Sequence, residues 1–251
     1  MRSRNLQTFI REIQFENRNP RDNKVLESIQ DISTNPERVI EIKAKLYRCR
    51  IITDDKKIHS ESGFYGYNAS ESFVPPVRVT KDLRANYRYI PYLYCANHPY
   101  LALVEVRPRL GAHVSMATIV VNESIRLLDF TVQKKPNRMS EAKQNLFSDL
   151  SELYSKPIAN DDDIFDYIPT QYIAEYAKNL GYDGICFTSS LTPEINGQDM
   201  DRFNVVVFNY DKCAVIKSNV FAVTTSYIEC QQIDEDEQQL DIHLPLLYNL
   251  F

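Results

Sequence analysis

The apolar positions fall first into two helical stripes. Leu6, Phe9, Ile10 and Ile13 recur at three- and four-residue intervals, and Val25, Leu26, Ile29 and Ile32 repeat the pattern after a cap at Asp22. Pro36 is placed to start a further turn. From residue 45 the period drops to two. KLYRCRII (45–52) predicts a strand with Leu46, Arg48 and Arg50 on one face and Tyr47, Cys49 and Ile51 on the other. HVSMATIVV (113–121) and SIRLLDFTV (124–132) read as strands with a turn at Asn122 and Glu123. DGICFTSS (183–190), FNVVVFNY (203–210), CAVIKS (213–218) and FAVTTSYIECQQ (221–232) read as further strands. Two amphipathic helices interrupt them. Residues 140–154 start at a Ser140 cap, and residues 168–180 end at Gly181. Helices followed by mostly strands predict an α+β fold.

Two stretches fit neither period. Residues 53–80 carry Phe64, Tyr65, Tyr67 and Phe73 without regular spacing, which reads as a long loop acting as a lid. Residues 84–108, RANYRYIPYLYCANHPYLALVEVRP, mix arginines, tyrosines and Glu105 into an apolar run. A core segment excludes unpaired charge, so this stretch is half core and half site. Within it PYLYCA reads as a short strand. A short helix from Asn97, His98 or Pro99 then carries Leu101, Ala102, Val104 and Glu105.

Composition narrows the classes. The chain has 251 residues, 43% hydrophobic and 25% charged, and fits one domain with an appendage. A net charge of −5 argues against a broad nucleic-acid surface. No apolar run reaches the ~18 residues of a membrane span, and MRSRNLQTFIREI lacks a secretory h-region. Five scattered cysteines, none in a C-x-x-C pair, suit reduced thiols in the cytoplasm. No metal-ligand spacing is present, so no metal is expected. Neither G-x-G-x-x-G nor a P-loop occurs, so any nucleotide phosphate needs side-chain ligands.

LYR (46–48), RANYRYIPYLYCA (84–96), the glutamate of ALVEVRP, GYDGICFTSS (181–190) and NVVVF (204–208) together resemble the RES-domain family. These are toxins of RES–Xre toxin–antitoxin systems. The resemblance implies a fold similar to ADP-ribosyltransferases, a split and bent β core with surrounding helices. It divides the chain into a helical extension (1–44), a RES-like catalytic domain (45–228) and a tail (229–251). That tail, acidic and then apolar, is expected to dock on the domain or on a partner.

The resemblance also implies an enzyme that degrades NAD at the nicotinamide–ribose bond, as a glycohydrolase or a phosphorylase. NAD is then substrate rather than cofactor, and phosphate is an optional co-substrate. Carried over, the site residues are Arg48, Arg84, Tyr94, Glu105 and Ser189, with Ser190 competing for the last position. The chemistry of the residues agrees. A pyrophosphate suits the guanidinium forks of Arg48 and Arg84, and Tyr94 offers a ring for stacking. Glu105 is a carboxylate that could face a developing ribose cation. Ser189 supplies a hydroxyl, and Asn86 and Tyr65 are subsidiary candidates. Expected partners are NAD and an Xre-type antitoxin, with a homodimer compatible and no membrane or direct nucleic-acid binding. Two alternatives stay open: a protein ADP-ribosyltransferase, and a non-catalytic interaction module on the same fold.

Overall fold

The computed structural model describes residues 3–54, 59–61, 63–131, 139–156, 164–191, 201–225, 228–230 and 242–244. Helix α1 (Arg4–Arg11) begins where the Ser3 hydroxyl accepts from the Leu6 N–H, and it runs into a π-helical turn, Glu12–Glu16. Helix α2 (Lys24–Gln30) is capped by Asn23, one residue later than expected, whose side chain accepts from the Val25 N–H at 3.0 Å. Their buried Leu6, Phe9, Ile13, Val25, Leu26 and Ile29 join the largest core cluster, with residues of two later helices. These are α5 (Glu141–Ser155), capped by Ser140, and α6 (Ile168–Asn179), after which Gly181 sits at φ +86°.

Ten strands form one ladder. In chain order they are β1 (Glu37–Ile40), β2 (Lys45–Ile51), β3 (His59–Glu61), β4 (Phe64–Gly66), β5 (Leu93–Ala96), β6 (His113–Val121), β7 (Ile125–Asp129), β8 (Gly184–Phe187), β9 (Asn204–Val207) and β10 (Cys213–Ala222). Their spatial order is β1-β7-β8-β9-β5-β2-β6-β10-β4-β3. Alternate residues of β7 to β9 enter different cores: Leu128, Ile185 and Val206 face the helices, while Leu127, Cys186, Val205 and Val207 face the other cluster. Burial on both faces is why these strands read as continuous apolar runs.

The ladder splits in the middle. Strand β2 pairs with β6 along its whole length, from Lys45↔Val120 to Ile51↔Val114, and β5 pairs with β9 from Leu93↔Val207 to Ala96↔Asn204. Between β2 and β5 the one pair is Tyr47↔Ala96. Helix α4 (Pro99–Glu105), capped by His98, packs over this junction, burying Leu101 and Ala102 with Cys49, Ala96, Val114 and Met116. The α+β class and a split β core are therefore both observed.

Several expectations are corrected. Pro36 leads into strand β1, which pairs antiparallel with β7, rather than into a helical turn. The described part of 53–80 is not an irregular loop throughout. It contributes β3 and β4 to the far edge of the sheet and a short helix, α3 (Ala69–Ser72), packed on β10 and β2, while Pro75, Val79 and Thr80 line a smaller cavity of about 200 Å³ beside Arg48 and Tyr94. Tyr67 is buried under the Arg50 guanidinium, 4.7 Å from its ring, and Phe73 meets Tyr210 edge-on. Strands β6 and β7 do not pair, because the chain crosses between half-sheets at Asn122 and Glu123. CAVIKS and the FA that opens the next run are one strand, β10, with an irregularity between Val215 and Lys217. The acidic loop 160–163 and the tail's apolar end, 245–251, lie outside the described residues. From the tail region, β11 (Ile228–Cys230) and β12 (Ile242–Leu244) pair antiparallel. Cys49, Cys95, Cys186 and Cys213 are buried and free.

Gly184 marks a close strand approach. A Cβ placed there would lie 2.3 Å from the Val206 carbonyl oxygen and 2.8 Å from Leu127 Cδ2. A backbone carbonyl cannot rotate away, so Gly184→Ala must push β8 off β9. The expected loss is about 1–3 kcal/mol of unfolding free energy, read from the urea midpoint; an unchanged midpoint would contradict this packing.

Candidate functional site

The fork between the half-sheets opens into a cavity of about 500 Å³, within the range of small-molecule sites. Arg48 of β2, Arg84, Tyr94 of β5, Glu105 at the end of α4 and Ser189 after β8 all line it. Segments that are far apart in sequence thus converge on one space.

Arg48 is the least compensated of these groups. Its guanidinium is mostly enclosed, and Nη1 is buried with no hydrogen-bond partner among the described residues. Burial lowers its pKa, with the neighbouring Arg50 adding to the effect against a pull from Cys95 and Tyr94. An enclosed cation without an anion is expensive, so the chain holds here a group that an anionic ligand would satisfy. Arg84 is also held below its usual pKa by burial. Its Nη2 donates to the Lys156 carbonyl at 2.5 Å, at the C-cap of α5, where a cation suits the helix dipole. Arg84 itself sits in a short turn. Leu83 and Asn86 exchange both backbone hydrogen bonds, and Gln171 of α6 donates its side-chain amide to the Leu83 and Asn86 carbonyls, at 2.9 Å each.

Tyr94 ties the turn to the sheet. Its hydroxyl donates to Asn86 Oδ1 at 2.8 Å and accepts from the Ala85 N–H at 3.1 Å. Burial raises its pKa well above that of an ordinary phenol, so it stays neutral and offers its ring rather than a charge. Asn86 does not line this cavity. It is buried, its amide bonds the Lys81 and Tyr87 carbonyls and Tyr94, and it lines the smaller cavity of about 200 Å³ together with Arg48 and Tyr94. Tyr65 is not brought to the cavity either. It lies on β4, half-exposed at the far edge of the sheet and away from the cavity lining.

Glu105 ends α4, and the chain turns at once because Arg107 takes φ +45°. The carboxylate is exposed at the cavity rim, and its Oε1 accepts from Asn204 Nδ2 at 2.6 Å. Ser189 Oγ accepts from the Leu191 N–H at 3.0 Å. Ser190 lines the cavity too but is more exposed. Thr188 is committed to α5, sharing hydrogen bonds with Ser151 and Ser155.

Asn204, Gln171, Tyr47, Tyr154 and Tyr167 were not legible as site residues. Asn204 carried a signal, a polar residue opening the most β-like run in the chain, and Gln171 carried another, an amide on the buried side of α6. Tyr154 closes the inner wall. Its ring stacks between Phe130 and Phe187 at centroid distances of 5.0 and 5.2 Å, and its hydroxyl donates to the Thr170 carbonyl at 2.7 Å. Among the described residues, no cluster of three His, Cys, Asp or Glu side chains could hold a metal. None of their helices is long and apolar enough to cross a membrane.

A profile of the RES domain matches residues 49–228, starting one residue after Arg48. A solved structure, the M. tuberculosis MbcT–MbcA toxin–antitoxin complex, is similar at 15% identity and a TM-score of 0.45. The likeness covers 79% of this chain and 93% of that one. No curated protein matches.

The unpaired cation gives a direct test. Arg48→Met keeps the volume and removes a desolvated charge, so the variant should be as stable as the parent or gain on the order of 1 kcal/mol. Inorganic pyrophosphate should raise the melting temperature of the parent and leave that of the variant unchanged. A marked loss of stability, or equal pyrophosphate shifts, would contradict this account of Arg48.

Proposed function

The chain belongs to the RES-domain family, and from that premise we propose that it is an NAD-consuming enzyme cleaving the nicotinamide–ribose bond, the toxin of a RES–Xre toxin–antitoxin pair. The observation that carries this reading is the meeting of two under-compensated guanidiniums, a ring and one carboxylate around a single cavity. NAD has the complementary parts: a diphosphate, a flat cationic heterocycle and a ribose between them.

In this reading Arg48 and Arg84 take the diphosphate. Their guanidiniums suit paired phosphate oxygens, and an anion would satisfy the buried Nη1 of Arg48. The Tyr94 ring flanks the nicotinamide. Glu105 offers the ribose its second carboxylate oxygen, since Asn204 occupies the first. As the bond from C1′ to the pyridinium nitrogen breaks, its electron pair moves to that nitrogen and nicotinamide leaves neutral. No proton has to be supplied to it. Positive charge then collects on C1′ and the ring oxygen, where the Glu105 carboxylate stabilises it. Water or phosphate adds to C1′, and in hydrolysis one proton is released to solvent. Ser189, which also lines the cavity, offers the ribose a hydrogen-bonding hydroxyl.

The exposure of Glu105 favours a small acceptor. A transferase must keep water from its oxocarbenium ion, whereas this carboxylate stands at an open rim. A cytoplasmic setting and an Xre-type antitoxin that covers the cavity complete the proposal.

Incubating the purified chain with NAD, with and without phosphate, and separating the products tests it. Nicotinamide should appear together with ADP-ribose or its 1″-phosphate; no nicotinamide under either condition would overturn the reading. Glu105→Gln keeps the shape and removes the charge. It should lower kcat by about 10²–10³ with little change in KM. Turnover at the parent rate would remove Glu105 from its role.

A further inference from the structure

Strand β1 precedes the segment matched by the family profile, yet it holds the most elaborately paired arginine described. The Arg38 side chain is 9% exposed. Its Nε donates to Asp129 Oδ2 at 3.0 Å. Its Nη1 donates to Asp201 Oδ2 at 2.5 Å, and its Nη2 to Asp201 Oδ1 at 3.2 Å and Thr131 Oγ1 at 3.1 Å. The guanidinium also lies over the Phe203 ring, 4.1 Å from its centroid. Burial works against the charge, but Asp201 and Asp129 outweigh it and raise the pKa. Arg38 is thus a fixed cation gripping residues 201–203.

Asn97, directly after β5, grips the same residues from the other side. Its Nδ2 donates to the Asp201 carbonyl at 2.6 Å. Its Oδ1 accepts from the Phe203 N–H at 2.9 Å, and its own N–H donates to the Phe203 carbonyl at 3.1 Å. The next residue is Asn204, whose amide holds Glu105 at 2.6 Å. Glu105 is exposed and ends its helix, so the hydrogen bond from Asn204 is what orients it. Arg38 itself does not line the cavity.

We infer that Arg38 is a positioning residue for Glu105, acting through Asp201 and Phe203 on Asn204. The site of the RES domain in this chain therefore depends on a strand that lies before the matched segment. The kinetic part of this inference rests on the reading of Glu105 given above; the geometric part does not.

The test uses the full chain and two readouts. In the first, the Asn204 side-chain amide is followed by NMR. Its signal should move when Glu105→Gln is introduced into the parent, and that response should vanish in an Arg38→Met background. In the second, kcat for NAD cleavage is measured in a double-mutant cycle. Arg38→Met should lower kcat about tenfold with KM little changed, and should add nothing on top of Asn204→Ala. Should Arg38→Met fail to fold, Asp201→Asn weakens the same clamp and leaves the Arg38–Asp129 pair in place; it should reproduce both results. An amide response that persists without the clamp, or losses that multiply independently, would overturn the inference. If the parent released no nicotinamide, the proposed function would fall, while the amide experiment would still decide whether Arg38 positions Glu105.

Discussion

One strand pair, Tyr47 opposite Ala96, joins the two half-sheets, and the cavity depends on how little that junction closes. A fully paired β2–β5 ladder would bring these backbones to ordinary strand spacing, about 4.8 Å, leaving no room for ring or guanidinium groups between them. Because β2 is fixed by β6 and β5 by β9, each edge of the fork is rigid on its own side. Helix α4 bridges the two, burying Leu101 and Ala102 against both, and delivers Glu105 at its far end. The cavity wall is thus made of strand edges and helix ends, where side chains and unsatisfied backbone groups are naturally available.

Three enclosed arginines show what the chain invests there. Arg38 is neutralised by two carboxylates and works as structure. Arg84 is half-compensated by a helix-end carbonyl. Arg48 keeps a buried nitrogen without a partner. The gradient runs from scaffold to cavity, so the charge that is dearest to bury stands where a ligand could relieve it. The tyrosines follow the same order. Tyr182 and Tyr154 are spent on internal hydrogen bonds, and Tyr94 uses its hydroxyl to hold the turn that carries Arg84, which leaves its ring to the cavity.

Much of this was legible in the sequence because local rules act within a few residues. The strand-like run at 113–121, the continuous apolar run at 204–207, the Ser140 cap and the Gly181 end all follow from such rules. Arg48, Arg84, Tyr94, Glu105 and Ser189 were named from motifs, and the fold brings them to one cavity. Strand β1 was not legible, since ERVI alternates too briefly to announce an edge strand and follows a proline. The regular elements inside 53–80 were not legible because β3, β4 and α3 are only three or four residues long, too short to show a period. Asn204 and Gln171 were missed because each acts on a partner some 90 residues away, Glu105 at 99 positions and Leu83 at 88. The turn-building contacts of Asn86 were not legible for the same kind of reason: they depend on Tyr94 folding back over the turn.

In the proposed function one NAD molecule binds across the fork, held by Arg48 of β2 and by Arg84 of the turn before β5. Calorimetric titration of NAD into Glu105→Gln, which should bind without turnover, tests this most directly when Arg84→Met is titrated beside it in the same background. The account predicts one molecule bound per chain and a loss of affinity of about tenfold or more when Arg84 is removed. Unchanged affinity without Arg84, or no binding to Glu105→Gln at all, would contradict it.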